Sequence, residues 1–559
     1  MPGRFEEERK KRLAAARKLV AAGPDGEMLA RFTDILFARG AGEDIVEYDA
    51  EALAAVSRDA FAFFRKRREP AAVRVADVPG TDIRGRFYTA IELSAANRPF
   101  IFDSVLGELQ ALGHMAQLVV HPIVEVERDA SGGVLNFAPA GPAADAGKQR
   151  ESFVHVHVPL VRDPAAKTEL VDGLSELLRE VQLATDDWRA MRARLHSAIN
   201  EFSADHPALT DAVTDETIAF LQWLEEDNFV FLGMREYSYS GGADSLAEAP
   251  KAAGLGLLRD PNVTVLRRGT EAVTMTPEIR AFLTAGEPII VTKANVKSRV
   301  HRRDYMDYVG VKIFERGRVV GELRIVGLFT STAFTRSAQR IPLIRRKVTE
   351  IVERAGFDPV SHSGKALLNI LEHYPRTELF QADTRHLFES ALAILQLEER
   401  PRVRALSRRD RFDRFVSVLV FVPRDRYSTD LRERIGLALA AMYDGRPSAF
   451  FPDFSMTHLT RVQFIIGRNP GEGPDPTQEE LEARIRAIVR TFDDDLAEAM
   501  NAALPPDRSA ELLRSYSGAF ASDYRAAFTA ADALRDIEIA ERLTPEDIEV
   551  RFFRRAGMP

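Results

Sequence analysis

The sequence predicts an α+β multidomain protein in which two ferredoxin-like βαββα units flank a mostly antiparallel sheet region, with helical connectors around them. Three observations carry that prediction. A chain of 559 residues is too long for one hydrophobic core. Its apolar period switches between two and about 3.6 residues in the same β-α-β-β-α order at two places far apart. The stretch between those places holds short apolar segments separated by Gly, Pro and Asp turns, the texture of an antiparallel sheet. Composition narrows the function classes: 45% hydrophobic and 29% charged residues are those of a globular protein, and a net charge of −8 gives no bulk attraction to nucleic acid or anionic lipid. The absence of cysteine excludes disulfides, thiolate metal sites and thiol nucleophiles. The longest apolar runs, such as Phe415 to Val422, have strand length, and residues 1–20 are rich in Arg, Lys and Glu where a signal peptide has an apolar core. A cytoplasmic location without membrane contact is expected.

Residues 1–75 read as a helical lead-in, with Leu13, Leu19, Met28, Phe32, Ile35 and Leu36 near helical spacing and a break at 22–26. Phe87, Thr89, Ile91 and Leu93 then alternate with Arg86, Tyr88 and Glu92, as in a half-buried strand. Phe102, Val105, Leu109 and Leu112 fall on one helix stripe ended by Gly113. Strands are expected over Met115–Glu127 and Phe153–Val161, with an Ala/Gly/Pro-rich insertion at 138–147 between them and a helix over Thr168–Val181 after them. The order recurs downstream. A strand over Phe412–Val422 precedes a helix marked by Leu431, Ile435, Leu439 and Met442, then strands at Ser448–Phe454 and Thr460–Gly467, then one long helix lined by Leu481, Ile485, Ile488 and Phe492. Between the two units, strands are expected at Asn228–Leu232, Gly254–Leu258, Val263–Leu266, Ile289–Thr292, Tyr308–Phe314 and Val319–Gly327. Residues 336–400 and 506–543 return to helical spacing, and Ile548–Phe553 reads as a strand opening a further, truncated unit.

Motifs for chemistry are sparse. Gly254-Leu255-Gly256 lacks the third glycine of a dinucleotide fingerprint and reads as a turn. Ser363-Gly364-Lys365 has Pro359 in place of a phosphate loop's first glycine and Ala366 in place of its Ser/Thr. His155 and His157, two apart on a strand, share a face, but two ligands do not make a zinc site, and they are expected on the less buried face of the sheet. Glu225, Glu226 and Asp227 beside Trp223 read as capping or solvated surface. The run from Lys293 to Arg303 carries five full positive charges and no acid; Arg299, Arg302 and Arg303 are candidate interface residues that fork onto carboxylates, in preference to nucleic-acid contacts.

The most informative corner is Asn97-Arg98-Pro99-Phe100-Ile101-Phe102-Asp103, leading into a helix and Gly113. Backbone N–H groups at such a corner suit a small anion. The stretch resembles the first strand-to-helix corner of ACT domains, small-molecule sensors whose usual form is Asp-Arg-Pro-Gly. Asn97, Arg98, Phe100 and Asp103 are the candidate ligand residues; Phe100 stands where those sensors often have glycine and is expected to crowd the ligand. On a larger scale, residues 96–105, Ala333-Phe334-Thr335, the run from Asn369 to Gln381 and Ala449-Phe450-Phe451-Pro452 together resemble the N-terminal part of the large bacterial NAD-dependent glutamate dehydrogenases.

That resemblance implies ACT-like domains at 76–205 and 401–505, a PAS-like domain at 206–335, a helical connector at 336–400, and the start of a third ACT-like domain within 506–559. It also implies an enzyme whose intact polypeptide converts L-glutamate, NAD and water to 2-oxoglutarate, ammonium and NADH. Its catalytic and nucleotide motifs lie downstream, so no catalytic, cofactor or metal residue is assigned here and this segment is expected to be non-catalytic. The expected partners are the chain's own catalytic domain, further copies in a homo-oligomer and an amino-acid effector. A free-standing ACT-type amino-acid sensor is the rival reading.

Overall fold

The computed structural model describes residues 2–550 apart from 24, 68–69, 79–85, 142–148, 208, 241–246, 262, 264–266, 269–270, 273–286, 469–472 and 545. Two compact units, residues 1–388 and 389–559, divide the chain.

The first unit opens with helices α1 (Pro2–Ala21), α2 (Gly26–Leu36), α3 (Gly42–Ile45) and α4 (Ala50–Phe64). The helical spacing ends at Phe64, and residues 71–75, the last of the expected lead-in, form a strand together with residues 76–77, β1 (Ala71–Asp77). There follow β2 (Tyr88–Ala96), α5 (Ile101–Ala111), β3 (Leu118–Val120), β4 (Ile123–Arg128), β5 (Val134–Pro139), β6 (Gln149–Pro159) and α6 (Pro164–Asp186). The sheet order is β1-β2-β6-β4-β5, with β3 also on β6 and every pairing antiparallel. The strand expected over Met115–Glu127 is thus two strands, interrupted at His121-Pro122, where proline cannot donate to the ladder.

Burial corrects two further expectations. β2 is buried along both faces, because the lead-in helices are part of this domain: Phe32, Leu36, Leu53, Phe61 and Phe64 share a core with Tyr88, Ala90, Val124, Phe137 and Phe153. On α5 the buried stripe is Ile101, Ser104, Val105, Glu108 and Leu109, while Leu112 is 53% exposed and Phe102 only half-buried. Val105 and Leu109 keep the places the spacing predicts, and Ile101, Ser104 and Glu108 complete the buried face where Phe102 and Leu112 were expected.

Helices α7 (Trp188–Ala204) and α8 (Asp211–Trp223) lead through a π turn at Leu224–Asn228 to a mostly antiparallel sheet. Its strands are β7 (Phe229–Ser240), β8 (Ala247–Pro250), β9 (Leu255–Gly256), β12 (Ile289–Lys297), β13 (Tyr305–Glu315) and β14 (Arg318–Phe329), in the order β12-β13-β14-β7-β8 with β9 on β7. A two-residue pair, β10 (Arg267–Arg268) and β11 (Glu271–Ala272), lies within the same stretch, and residues 264–266 of the expected strand at 263–266 fall outside the described set. Gly256 turns at φ 58 and a Cβ there would meet the Leu232 carbonyl at 2.2 Å, so the Gly-x-Gly motif is a tight turn. The short helix α9 (Ser331–Thr335) precedes the connector helices α10 (Ile344–Ala355), α11 (His362–His373), α12 (Arg376–Gln381) and α13 (Thr384–Glu399). Ser361 caps α11 by accepting from the Gly364 N–H, which accounts for the phosphate-loop-like tripeptide.

The second unit contains a four-stranded sheet, β15-β16-β18-β17, from β15 (Arg404–Arg409), β16 (Phe415–Pro423), β17 (Gly445–Asp453) and β18 (Leu459–Arg468). Helices α14 (Thr429–Met442) and α15 (Gln478–Val489) cover one face, with Val418, Val420, Ile435, Leu439, Phe464, Leu481 and Ile485 at the centre. The expected single long helix breaks at Arg490. Thr491 starts α16 (Phe492–Ala503) with its own capping box, and Phe492 packs in a separate cluster with α17 (Pro506–Tyr516), α18 (Ser522–Ala527) and α19 (Ala530–Ala540). Residues 548–550 carry no strand, with Ile548 92% exposed; residues 551–553 lie outside the described set.

Candidate functional site

The β2-to-α5 corner turns on a left-handed residue. Phe100 sits at φ 74, the left-handed conformation in which glycine is free of strain. Its ring lies 4.9 Å from that of His301, and the His301 N–H donates to Ser104 Oγ at 2.8 Å. The β12–β13 loop therefore lies against the start of α5. Asn97 is used structurally, its N–H donating to the Arg150 carbonyl at 2.8 Å and its Oδ1 accepting from Ser152 Oγ at 2.8 Å. Arg98 turns away toward Thr185 Oγ1 at 3.1 Å and Asp186. Asp103, 60% exposed, faces His301 Nδ1 at 3.7 Å.

The basic run meets α5 and α6 from the other side. Arg299 donates to Glu108 Oε1 at 3.2 Å, Glu180 Oε1 at 3.2 Å and the Gly173 carbonyl at 2.7 Å. Arg303 also donates to Glu108, and Arg302 donates to the Phe329 carbonyl at 2.8 Å. Burial pushes the Glu180 carboxyl up, against the pull of Arg299, while burial and then Arg302 hold His301 below its ordinary value. Elsewhere, Glu225 pairs with Arg192 and His196 at 2.6 and 3.0 Å.

Sequence reasoning missed a second constellation. His155 and His157 lie on the face covered by the lead-in helices, 1% and 0% exposed, not on a solvated one. They join a chain across the domain: Arg74 Nε to Glu92 Oε2 at 2.5 Å, Glu92 Oε1 to His155 Nδ1 at 2.9 Å, His155 Nε2 to His157 Nε2 at 2.8 Å, and His157 Nδ1 to Tyr48 OH at 2.8 Å. One proton arrangement satisfies every member with both imidazoles neutral: Tyr48 O–H donates to His157, His157 Nε2–H to His155, and His155 Nδ1–H to the Glu92 carboxylate. Burial raises the Glu92 carboxyl, but His155 and Arg74 outweigh it and the group stays below its usual range. Burial, and then proximity to His155, drive His157 well down. The alternation of His155 and His157 was visible in the sequence; their partners, contributed from positions 48 and 92, were not. Among the described residues no group of three or more His, Cys, Asp or Glu side chains is disposed to hold a metal, and no helix is long and apolar enough to cross a membrane.

Comparison with known proteins assigns these parts. Residues 32–174 match the model described as glutamate dehydrogenase, ACT1 domain, and residues 404–493 that of the ACT2 domain; residues 341–400 and 499–543 match glutamate dehydrogenase helical motifs 1 and 2. An NAD-specific glutamate dehydrogenase of Halomonas elongata is 35% identical over 463 residues, 81% of this chain. The chain belongs to the large NAD-specific glutamate dehydrogenase family. Relatives of the same description from Pseudomonas aeruginosa and Mycobacterium tuberculosis are 31% identical over 81% and 29% identical over 84% of the chain. The chain spans 28% of the length of each of these relatives. The ACT1 match begins inside α2, consistent with a domain whose core includes the lead-in helices. The two sheets of this family member that carry ACT matches are β1–β6 and β15–β18.

Proposed function

We propose that this chain is the N-terminal regulatory and assembly part of an NAD-dependent glutamate dehydrogenase, which oxidises L-glutamate with NAD and water to 2-oxoglutarate, ammonium and NADH. The carrying observation is that ACT domains and helical motifs are what match, in a chain spanning 28% of relatives named for the whole activity. In this reading these 559 residues bind no NAD and catalyse nothing alone, and both tasks belong to the rest of the family polypeptide. The antiparallel sheet between the ACT-like domains is read as PAS-like. The protein acts in the cytoplasm, as a homo-oligomer, with its own catalytic region as principal partner.

Regulation in this scheme works by differential binding to two arrangements of the domains. Support comes from the contacts at the first corner: an amino-acid effector using Asn97, Arg98, Phe100 and Asp103 has to displace His301, and Arg299 and Arg303 would transmit that displacement through Glu108. The test is direct. Residues 1–559, given saturating glutamate and NAD, are expected to produce NADH absorbance no faster than a heat-killed control, and turnover above it overturns the division of labour. Calorimetric binding of an amino acid, lost on altering Asn97 or Phe100, is expected if this corner takes the effector, and no such binding removes the corner from the scheme.

A further inference from the structure

Arg468 ends β18 in the second ACT-like sheet. Phe415 pairs with Gly467 and Pro423 with Leu459, so Arg468 lies at the end of the sheet opposite the β16-to-α14 corner. Its side chain is 1% exposed, and Nε, Nη1 and Nη2 all lack a hydrogen-bond partner. Asp413 Oδ1 is 3.2 Å from Nε but out of line for a hydrogen bond, and it already accepts from Arg409 Nε at 2.6 Å. Arg414 supplies the contrast within the same sheet: equally buried, it places Nε and Nη2 on the two oxygens of Asp410 at 2.7 and 2.9 Å. A guanidinium carries its donors in a rigid fork, and burying that fork unmet is costly.

A second buried donor faces the same place. Tyr443, at the end of α14, is 1% exposed; its hydroxyl points toward Ser407 without an aligned hydrogen bond, and the charges that bear on it are the Asp475 carboxylate and then the Arg468 guanidinium. Gly473 closes over the guanidinium, since a Cβ there would stand 2.7 Å from Nη2 and 3.4 Å from the Tyr443 carbonyl. Asp413 and Asp444, in the turns on either side, hold φ values of 52 and 48, strained for non-glycine residues.

We propose that Arg468 and Tyr443 form a binding site for one small oxyanion, a carboxylate or phosphate group. The guanidinium fork takes two oxygens and the tyrosine hydroxyl donates to a third or shares one of them. Because Arg468 is closed off from solvent, entry is coupled to parting of the turns at 409–414 and 443–445. The site is separate from the corner at which ACT sensors hold ligands, and it does not depend on whether this chain catalyses anything.

Thermal melting and calorimetry of residues 1–559 test it, with inorganic phosphate and L-glutamate titrated separately and sodium chloride at matched ionic strength as reference. A saturable, one-to-one rise in melting temperature is expected for at least one of the two, and which one responds identifies the anion. Arg468→Met should weaken that binding about ten-fold or more without lowering the ligand-free melting temperature, because the buried donors it removes meet no acceptor in line and only the Asp413 charge faces them. Tyr443→Phe should weaken it severalfold. No saturable response above chloride, or an undiminished one in Arg468→Met, overturns the site. Should Arg468→Met fail to fold, Arg468→Lys, which keeps the charge and loses the fork, decides together with Tyr443→Phe: unchanged affinity in both overturns it.

Discussion

The strand path β1-β2-β6-β4 of residues 71–128 and 149–159 and the path β15-β16-β18-β17 of residues 404–468 are the same, with an N-terminal strand at the edge in each case. They differ in where charge is buried. In the first sheet, charged and polar groups sit within the strands: Glu92, His155 and His157 mid-strand in one chain under the lead-in helices, and Glu151, near the start of β6, between Arg67 and Arg128 at 2.8 and 2.7 Å. In the second, buried charge gathers at one end of the sheet, at Asp410, Arg414 and Arg468, with Glu482 of α15 buried at the other end beside Arg404. The corners differ too. Loop 298–303 closes the first, whereas Arg426 ties the second to Asp494 at the start of α16, at 2.5 and 2.9 Å. One topology thus serves two purposes, because the layer that covers a sheet decides which side chains its interior accepts.

The largest expected effect separates the two sheets. Glu151→Ala leaves two buried guanidinium groups without their carboxylate and should cost about 3–5 kcal/mol. Hydrogen exchange should rise across residues 71–159 and stay unchanged over 404–468; loss of protection in both would break the comparison. Leu109→Ala and Leu439→Ala, at helix positions 1% and 0% exposed, should each cost roughly 2–5 kcal/mol, read by urea unfolding, and each within its own unit. For the corners, Arg299→Gln with Arg303→Gln, or Arg426→Gln alone, removes charge-assisted hydrogen bonds of roughly 1–3 kcal/mol. Protease sensitivity should rise at 298–303 for the first variant and near 424–428 for the second.

Acid should distinguish the sheets by pH. His157 is held neutral, its folded value depressed, so its contribution is complete above the unfolded value of about 6.5 and is lost as pH falls below it. The slope is at most about 1.4 kcal/mol per pH unit per proton. The second sheet region carries His458, which is exposed, and its buried Asp410 is depressed, so its stability should hold until pH approaches the unfolded carboxylate value of about 3.9. Near-simultaneous acid unfolding of both regions, followed by residue-resolved exchange, would refute that order. The smallest effect is at the first corner. Phe100→Gly relieves a left-handed residue and loses the His301 contact, so stability should change by no more than about 1 kcal/mol, measured by melting.

The sequence alone determined the alternation of periods, the two α+β units, the antiparallel region, the helical connector and the family to which they point, because each rests on local spacing or on contiguous motifs. It missed β1 and β15, the same edge strand in both sheets. Edge strands bury little, and Ala-Ala-Val-Arg-Val-Ala-Asp and Arg-Ala-Leu-Ser-Arg-Arg carry weak alternation. Tertiary structure alone decided the rest. His155 and His157 are buried because helices from residues 2–64 cover that face, Glu108 meets Arg299 across 191 positions, and Arg468 is shut in by turns from three parts of its unit. Burial and pairing depend on which surfaces the folded chain brings together, and a local period carries no record of the partner on the far side.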